Sequence, residues 1–159
     1  MVERKAFLKA YNIDEDDFKA ADISWEELAA IYDDYLSKEE KLREIGKDFV
    51  NDYLYDIERA GIHSYRYRTK NPGHLLEKII RKRKEDPEKF KNLNRSNYYK
   101  YMTDLIGIRV FFLYREDWRH FHEYITSAFE NAPEQYVKDR ERDFDNDETH
   151  CYIAERPKV

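Results

Sequence analysis

The segment Ser64–Lys84, SYRYRTKNPGHLLEKIIRKRK, carries Arg66, Arg68, Lys70, Lys78, Arg81, Lys82, Arg83 and Lys84 against one acid, Glu77. The whole chain has a formal net charge of −5. Cations gathered this densely in an acidic protein point to an anionic ligand. The alternation in SYRYRTK predicts a strand with Arg66, Arg68 and Lys70 on one face. NPG breaks that strand, and Leu75, Leu76, Ile79 and Ile80 then mark the apolar side of a helix whose other side bears Lys78, Arg81 and Lys82. Cations from a strand end and from the first turns of the next helix can converge on a string of phosphates. Arg offers a planar donor fork and Lys a mobile point charge. Each charge-assisted contact contributes about 1.5–3 kcal/mol, so four hold a triphosphate usefully. Arg83 and Lys84 read instead as a solvated helix face beside the acidic EDPE.

Twenty residues beyond Lys84, Asp104 precedes the apolar run LIGIRVFFLY. A carboxylate at the entry to a strand suits Mg²⁺, which takes one or two carboxylates plus phosphate oxygens and water. A strand-end residue bonding a backbone N–H explains Asp104 equally well at this point. Arg109 interrupts the same apolar run. Buried without a partner it is costly, so it either meets a carboxylate or points into a polar cleft. Regular alternation sets it on the face opposite Asp104, unless Gly107 carries a bulge. The histidines carry less. His120 and His122 are two apart on one helix and face different ways, and His63 and His150 have no visible partner. The acidic RDFDNDETH lacks the glycine and glutamate of a calcium loop.

These side chains need a scaffold. The first two dozen residues read as short helices broken at NIDEDD. Ser24 and Glu27 form a capping box, opening a long helix whose apolar stripe (Leu28, Tyr32, Tyr35, Leu42, Ile45, Phe49, Tyr53, Ile57) runs to about Arg59, with a bend or a solvent-exposed turn expected at Lys38–Glu39. Gly61 marks its stop. Asp86 and Pro87 start a short helix to about Leu93, NRSNYYKY reads as a loop, and LIGIRVFFLY as a central strand. EDWRHFHEYITSAFENA predicts an amphipathic helix with Trp118, Phe121, Ile125 and Phe129 inside; the remainder reads as less regular, with CYIAE compatible with a short strand. The expectation is an α/β or α+β fold, a mixed sheet flanked by helices, with a helical section at 1–60 and the strand-bearing part at 61–159.

Composition narrows the function classes. The chain has 159 residues, enough for one domain with a real core. Its acidity argues against general DNA binding, and the longest apolar run, VFFLY, is far short of a membrane span. The opening MVERKAFLKAYN reads as neither a signal nor a transit peptide. Cys151 is the single cysteine, which predicts an inert thiol and a cytoplasmic location. Basic residues interleaved with tyrosines, as in YRYRTK and NYYKYM, leave a single-stranded RNA-binding module as a reading from a different class. An interaction domain meeting an acidic partner protein is a third.

YRTKNPGHLLEKIIRK followed by TDLIGIRVFF resembles the synthetase domain of the RelA/SpoT family, most clearly over residues 45–130, with the long helix fitting its small single-domain members. The resemblance implies a nucleotidyltransferase-like fold and transfer of pyrophosphate from ATP to the 3′-hydroxyl of GDP or GTP, making the alarmone (p)ppGpp of the stringent response. It assigns Arg68, Lys70, Lys78 and Arg81 to the ATP phosphates, with Arg68 and Asp104 catalytic. Asp104 is the ligand of Mg²⁺ (or Mn²⁺), and His74 and Arg109 are supporting residues. His74 stands where the family usually has serine. Some relatives are toxins that modify adenine nucleotides or tRNA, so the acceptor stays open, as do a homo-oligomer and an antitoxin partner. The family's guanine-stacking tyrosine segment and catalytic glutamate fall after the last residue here. The expectation is a chain that holds the ATP half-site and turns over poorly alone.

Overall fold

A computed structural model describes residues 3–130. The CYIAE strand, Cys151, His150 and the acidic stretch 142–150 lie outside the described residues. Two short helices come first, α1 (Arg4–Ala10) and α2 (Glu15–Ala20), the second capped by Asp14 accepting from the Asp17 N–H at 2.6 Å. Ser24 caps α3 (Trp25–Tyr53) by accepting from the Glu27 N–H at 3.0 Å. The reciprocal half of the expected capping box is absent. The Glu27 carboxylate accepts from the Arg95 N–H instead, joining the helix start to a distant loop.

At Lys38–Glu39 the structure shows a solvent-exposed turn, the alternative to a bend, with Leu36, Ser37, Lys38 and Glu40 all exposed. α3 runs unbroken for 29 residues. Ion pairs one turn apart, Lys38–Asp34 at 2.7 Å and Arg43–Glu39 at 3.3 Å, span the gap in the apolar stripe. The helix ends at Tyr53 rather than near Arg59. Asp56 bonds the Arg59 N–H at 3.0 Å and starts a separate turn, α4 (Ile57–Ala60), because an aspartate side chain competes with the helical ladder. Gly61 closes α4 with φ +65°, as expected, and a Cβ there would also strike the His120 ring.

Strand β1 (Ser64–Thr69) pairs antiparallel with β2 (Ile106–Phe111), in unbroken register from Ser64 opposite Phe111 to Thr69 opposite Ile106. Between them lie α5 (Pro72–Glu85), α6 (Pro87–Phe90) and α7 (Tyr98–Tyr101), and α8 (Asp117–Glu130) follows. The fold is α+β, a small antiparallel sheet flanked by helices. Among the described residues β2 is not a central strand. It pairs along one edge and is half-buried, with Phe111 exposed. Segment 94–101, expected as a loop, contains α7, and Tyr98 is buried. In α8, Ile125 is buried and Phe121 half-buried, but Trp118 is 40% exposed. The side chain of Phe129 lies outside the described part.

Two cores result. The first joins Phe7, Leu8 and Phe18 to Leu28, Ile31 and Tyr35 of α3 and to Leu75, Leu76, Ile79 and Ile80 of α5. The second gathers Val50, Leu54, Ala60 and Ile62 against the inward-facing Tyr65, Tyr67, Ile108 and Val110 of the sheet and Phe121 of α8. α3 belongs to both. Its Gly46 lets β1 approach closely, since a Cβ there would stand 2.9 Å from the Tyr67 ring.

Candidate phosphate-binding site

The site forms where β1 turns into α5. Asn71 caps the helix, its side-chain oxygen accepting from the Gly73 and His74 N–H groups at 2.9 and 3.1 Å, and Pro72 fills the first turn. Tyr11 reaches in from the end of α1. Its hydroxyl occupies the space a Gly73 Cβ would need, and its ring meets that of His74 edge-on at 5.2 Å. Leu75, Leu76, Ile79 and Ile80 lock the apolar side of α5 into the first core. That rotation presents His74, Glu77, Lys78 and Arg81, spaced three and four apart, on the other side.

These four residues, with Arg68, Lys70 and Asp104, line an open cavity of about 350 Å³. Asp104 is its centre. One carboxylate oxygen meets the Lys70 ammonium at 2.7 Å and the other meets Lys78 at 2.9 Å. Burial pushes this carboxyl upward, but the hydrogen bonds and charges of Lys70 and Lys78 outweigh it and hold the pKa below the ordinary carboxylate range. Lys70 is nearly enclosed, its side chain 11% exposed. Arg81 is already engaged by Glu77 at 3.3 Å and Glu85 at 3.1 Å.

The other candidates separate. Lys70 falls one residue beyond β1 and turns into the cavity, whereas Arg66 stays on the exposed sheet face and does not line it. Arg109 is neither buried nor joined to a carboxylate. It stands directly opposite Arg66 on the same exposed face, beside Arg68 and Gly107. Gly107 carries no bulge, so Arg109 and Asp104 are not partners. Arg66, Arg68 and Arg109 make no ion pair with any described residue.

Arg83 overturns its expectation as solvated surface. It is 7% exposed, the one charged residue among the described residues that is buried. Its guanidinium donates to the carbonyls of Ala21 (2.7 Å), Asp22, Phe90 (2.9 Å), Lys91 (3.0 Å) and Leu93 (3.4 Å). The rigid five-donor fork is satisfied by backbone alone. Lys84 pairs with Asp17 of α2. Glu77 was not singled out from the sequence as a cavity residue, although its place one turn after His74 on the polar side of α5 was a sufficient signal.

Among the described residues no group of three or more His, Cys, Asp and Glu side chains is arranged to hold a metal by itself. No helix there is long and apolar enough to cross a membrane. The cavity is lined by four cations, Arg68, Lys70, Lys78 and Arg81, and two carboxylates, Asp104 and Glu77. The model of the region found in RelA/SpoT proteins matches residues 67–158, more than half of the chain. This chain belongs to the RelA/SpoT family, a family of (p)ppGpp synthetase-like nucleotide pyrophosphokinases. No curated protein and no solved structure matches it.

Proposed function

We propose that the chain binds ATP for a pyrophosphokinase reaction, in which the β,γ-diphosphate of ATP is transferred to the 3′-hydroxyl of GDP or GTP. The observation that carries this reading is the Lys70–Asp104–Lys78 constellation beside Arg68, which has no ion-pair partner among the described residues. In the reaction the acceptor oxygen bonds to the β-phosphorus, the bond from that phosphorus to the α,β-bridging oxygen breaks, and AMP leaves with release of the hydroxyl proton. Arg68, Lys70 and Lys78 bind and orient the phosphates, and fixed cations there stabilise the charge that spreads over them in the transition state. Arg81 joins them once it lets go of a glutamate.

Asp104 fits Mg²⁺ or Mn²⁺ in the manner of nucleotide sites. It is a single, half-exposed carboxylate among phosphate-binding cations, which suits an ion held chiefly by phosphate oxygens and water. A bound ion would supply charge neutralisation, and Asp104 would hold it once Lys70 and Lys78 turned from its oxygens toward phosphate.

The test is calorimetric titration of a non-hydrolysable ATP analogue with Mg²⁺ into the parent chain and Arg68→Ala. Binding by the parent that is weakened at least tenfold in the variant supports the reading. Absence of binding by the parent overturns it for this chain. A panel of GDP, GTP, adenine nucleotides and tRNA then identifies the acceptor. The RNA-module reading is weaker, because its stacking surfaces are committed elsewhere. Tyr98 is buried, Tyr99 and Tyr101 pack on the first core, and Tyr65 and Tyr67 on the second.

A further inference from the structure

Lys70 is fixed by its backbone as well as by its ion pair. Its N–H donates to the Leu105 carbonyl at 2.8 Å, adjacent to Asp104. Its own carbonyl lies past the last pair of the β-ladder and before the first turn of α5, so neither element supplies it with a donor. The donor comes from far away in sequence: the Tyr35 hydroxyl, 2.6 Å distant. Tyr35 sits on α3 with no exposed surface, wedged into the first core. Burial, with Glu39 nearby, pushes its phenol up to about 12, so it stays a donor through the neutral range.

We propose that Tyr35 is a positioning residue of the phosphate site: its hydroxyl fixes the Lys70 carbonyl, and thereby the point from which the Lys70 ammonium reaches Asp104 and a bound polyphosphate. A lysine side chain has several rotatable bonds, and its reach is defined only if its backbone anchor is defined. Here the two backbone groups of one residue are tied to different partners, Leu105 beside the carboxylate and Tyr35 on the long helix. Without the Tyr35 bond the Lys70 carbonyl would be unpaired between strand and helix, and the turn that carries both the Lys70 side chain and the Asn71 cap would lose its tie to α3. Tyr35 falls on the same helical stripe as Leu28 and Tyr32, yet it contributes a hydrogen bond as well as packing.

This inference rests on the proposed function and is tested by a double-mutant cycle on the same ATP analogue with Mg²⁺. Tyr35→Phe keeps the ring and removes the hydroxyl. It should weaken binding about fivefold to tenfold, the scale of one lost hydrogen bond. In a Lys70→Gln background the same change should alter binding less than about twofold, since residues acting through one another are non-additive. Equal losses in both backgrounds would mean a general structural effect and would overturn the proposal. If Lys70→Gln weakens binding and Tyr35→Phe does not, the proposal falls while the function stands. If the parent fails to bind, or Lys70→Gln binds like the parent, both fall. Thermal unfolding checks that each variant is folded. Should Tyr35→Phe not fold, replacing the 70–71 amide by an ester weakens the Lys70 carbonyl as an acceptor and keeps the tyrosine. Binding should then weaken severalfold, and unchanged binding would overturn the proposal.

Discussion

The two ends of the basic segment are alike in composition and opposite in fate. At the strand end, Arg68 has no ion-pair partner among the described residues, and Lys70 shares one exposed carboxylate with Lys78. At the far end of α5, Arg81 and Lys82 are drawn to Glu85, Lys84 to Asp17, and Arg83 is buried among carbonyls. Charge density alone did not decide which cations remain available to a ligand. The supply of nearby acceptors did: α2, the 86–93 stretch and the acids on α5 satisfy the second group, whereas among the described residues Asp104 alone forms ion pairs with the first.

The largest effect expected from this contrast is at Arg83. Arg83→Met removes every donor from a buried ring of carbonyls and should destabilise the fold by about 3 kcal/mol or more, read by chemical denaturation. Lys84→Ala, one position on, should leave the unfolding midpoint unchanged. A small effect at Arg83 would break the distinction between the two ends. Arg68→Ala should do the reverse, weakening the ATP analogue by about tenfold to a hundredfold at an unchanged melting temperature, as for one or two charge-assisted hydrogen bonds. Loss of stability without loss of binding would place Arg68 with the structural group.

A smaller effect is expected from pH. The folded pKa of Asp104 is lowered, so its clamp contributes stability above the ordinary carboxylate range and loses it as pH falls through the folded value. Asp104→Asn should therefore flatten part of the acid limb of the stability profile, and an unaltered limb would show that the two lysines do not hold the carboxylate in solution. The smallest change is at the exposed sheet face. Arg66 and Arg109 oppose each other directly, and like charges so placed repel. Arg66→Thr should stabilise the chain by ~0.2–1 kcal/mol at low salt, and the gain should shrink as salt is added.

Much of this was legible in the sequence where the signal is local. The caps at Ser24, Gly61 and Asp86 were, because a cap acts within three or four residues. So was the convergence of Arg68, Lys70, Lys78 and Arg81, because a strand end and the polar side of the following helix meet by geometry, whereas Asp104 was linked to them only by the family resemblance. The rest depended on contacts distant in sequence. Arg83 looked like surface because the carbonyls that surround it come partly from Ala21 and Asp22, some sixty residues earlier. Tyr35 looked like core alone, and its hydroxyl found Lys70 35 positions away. The α3 terminus was misplaced because an apolar stripe does not register that Asp56 prefers to cap a new turn.

The cavity lies on a seam. Arg68 extends from the sheet that closes the second core, Lys78 from the helix that closes the first, and α3 is the long element common to both. An anion gripped from both sides acts as a rivet between two halves that otherwise share a spine. Amide-exchange protection should therefore rise together in β1 and in α5 when the site is filled, although only their adjoining ends touch the guest. In that sense a bound polyanion would complete the architecture.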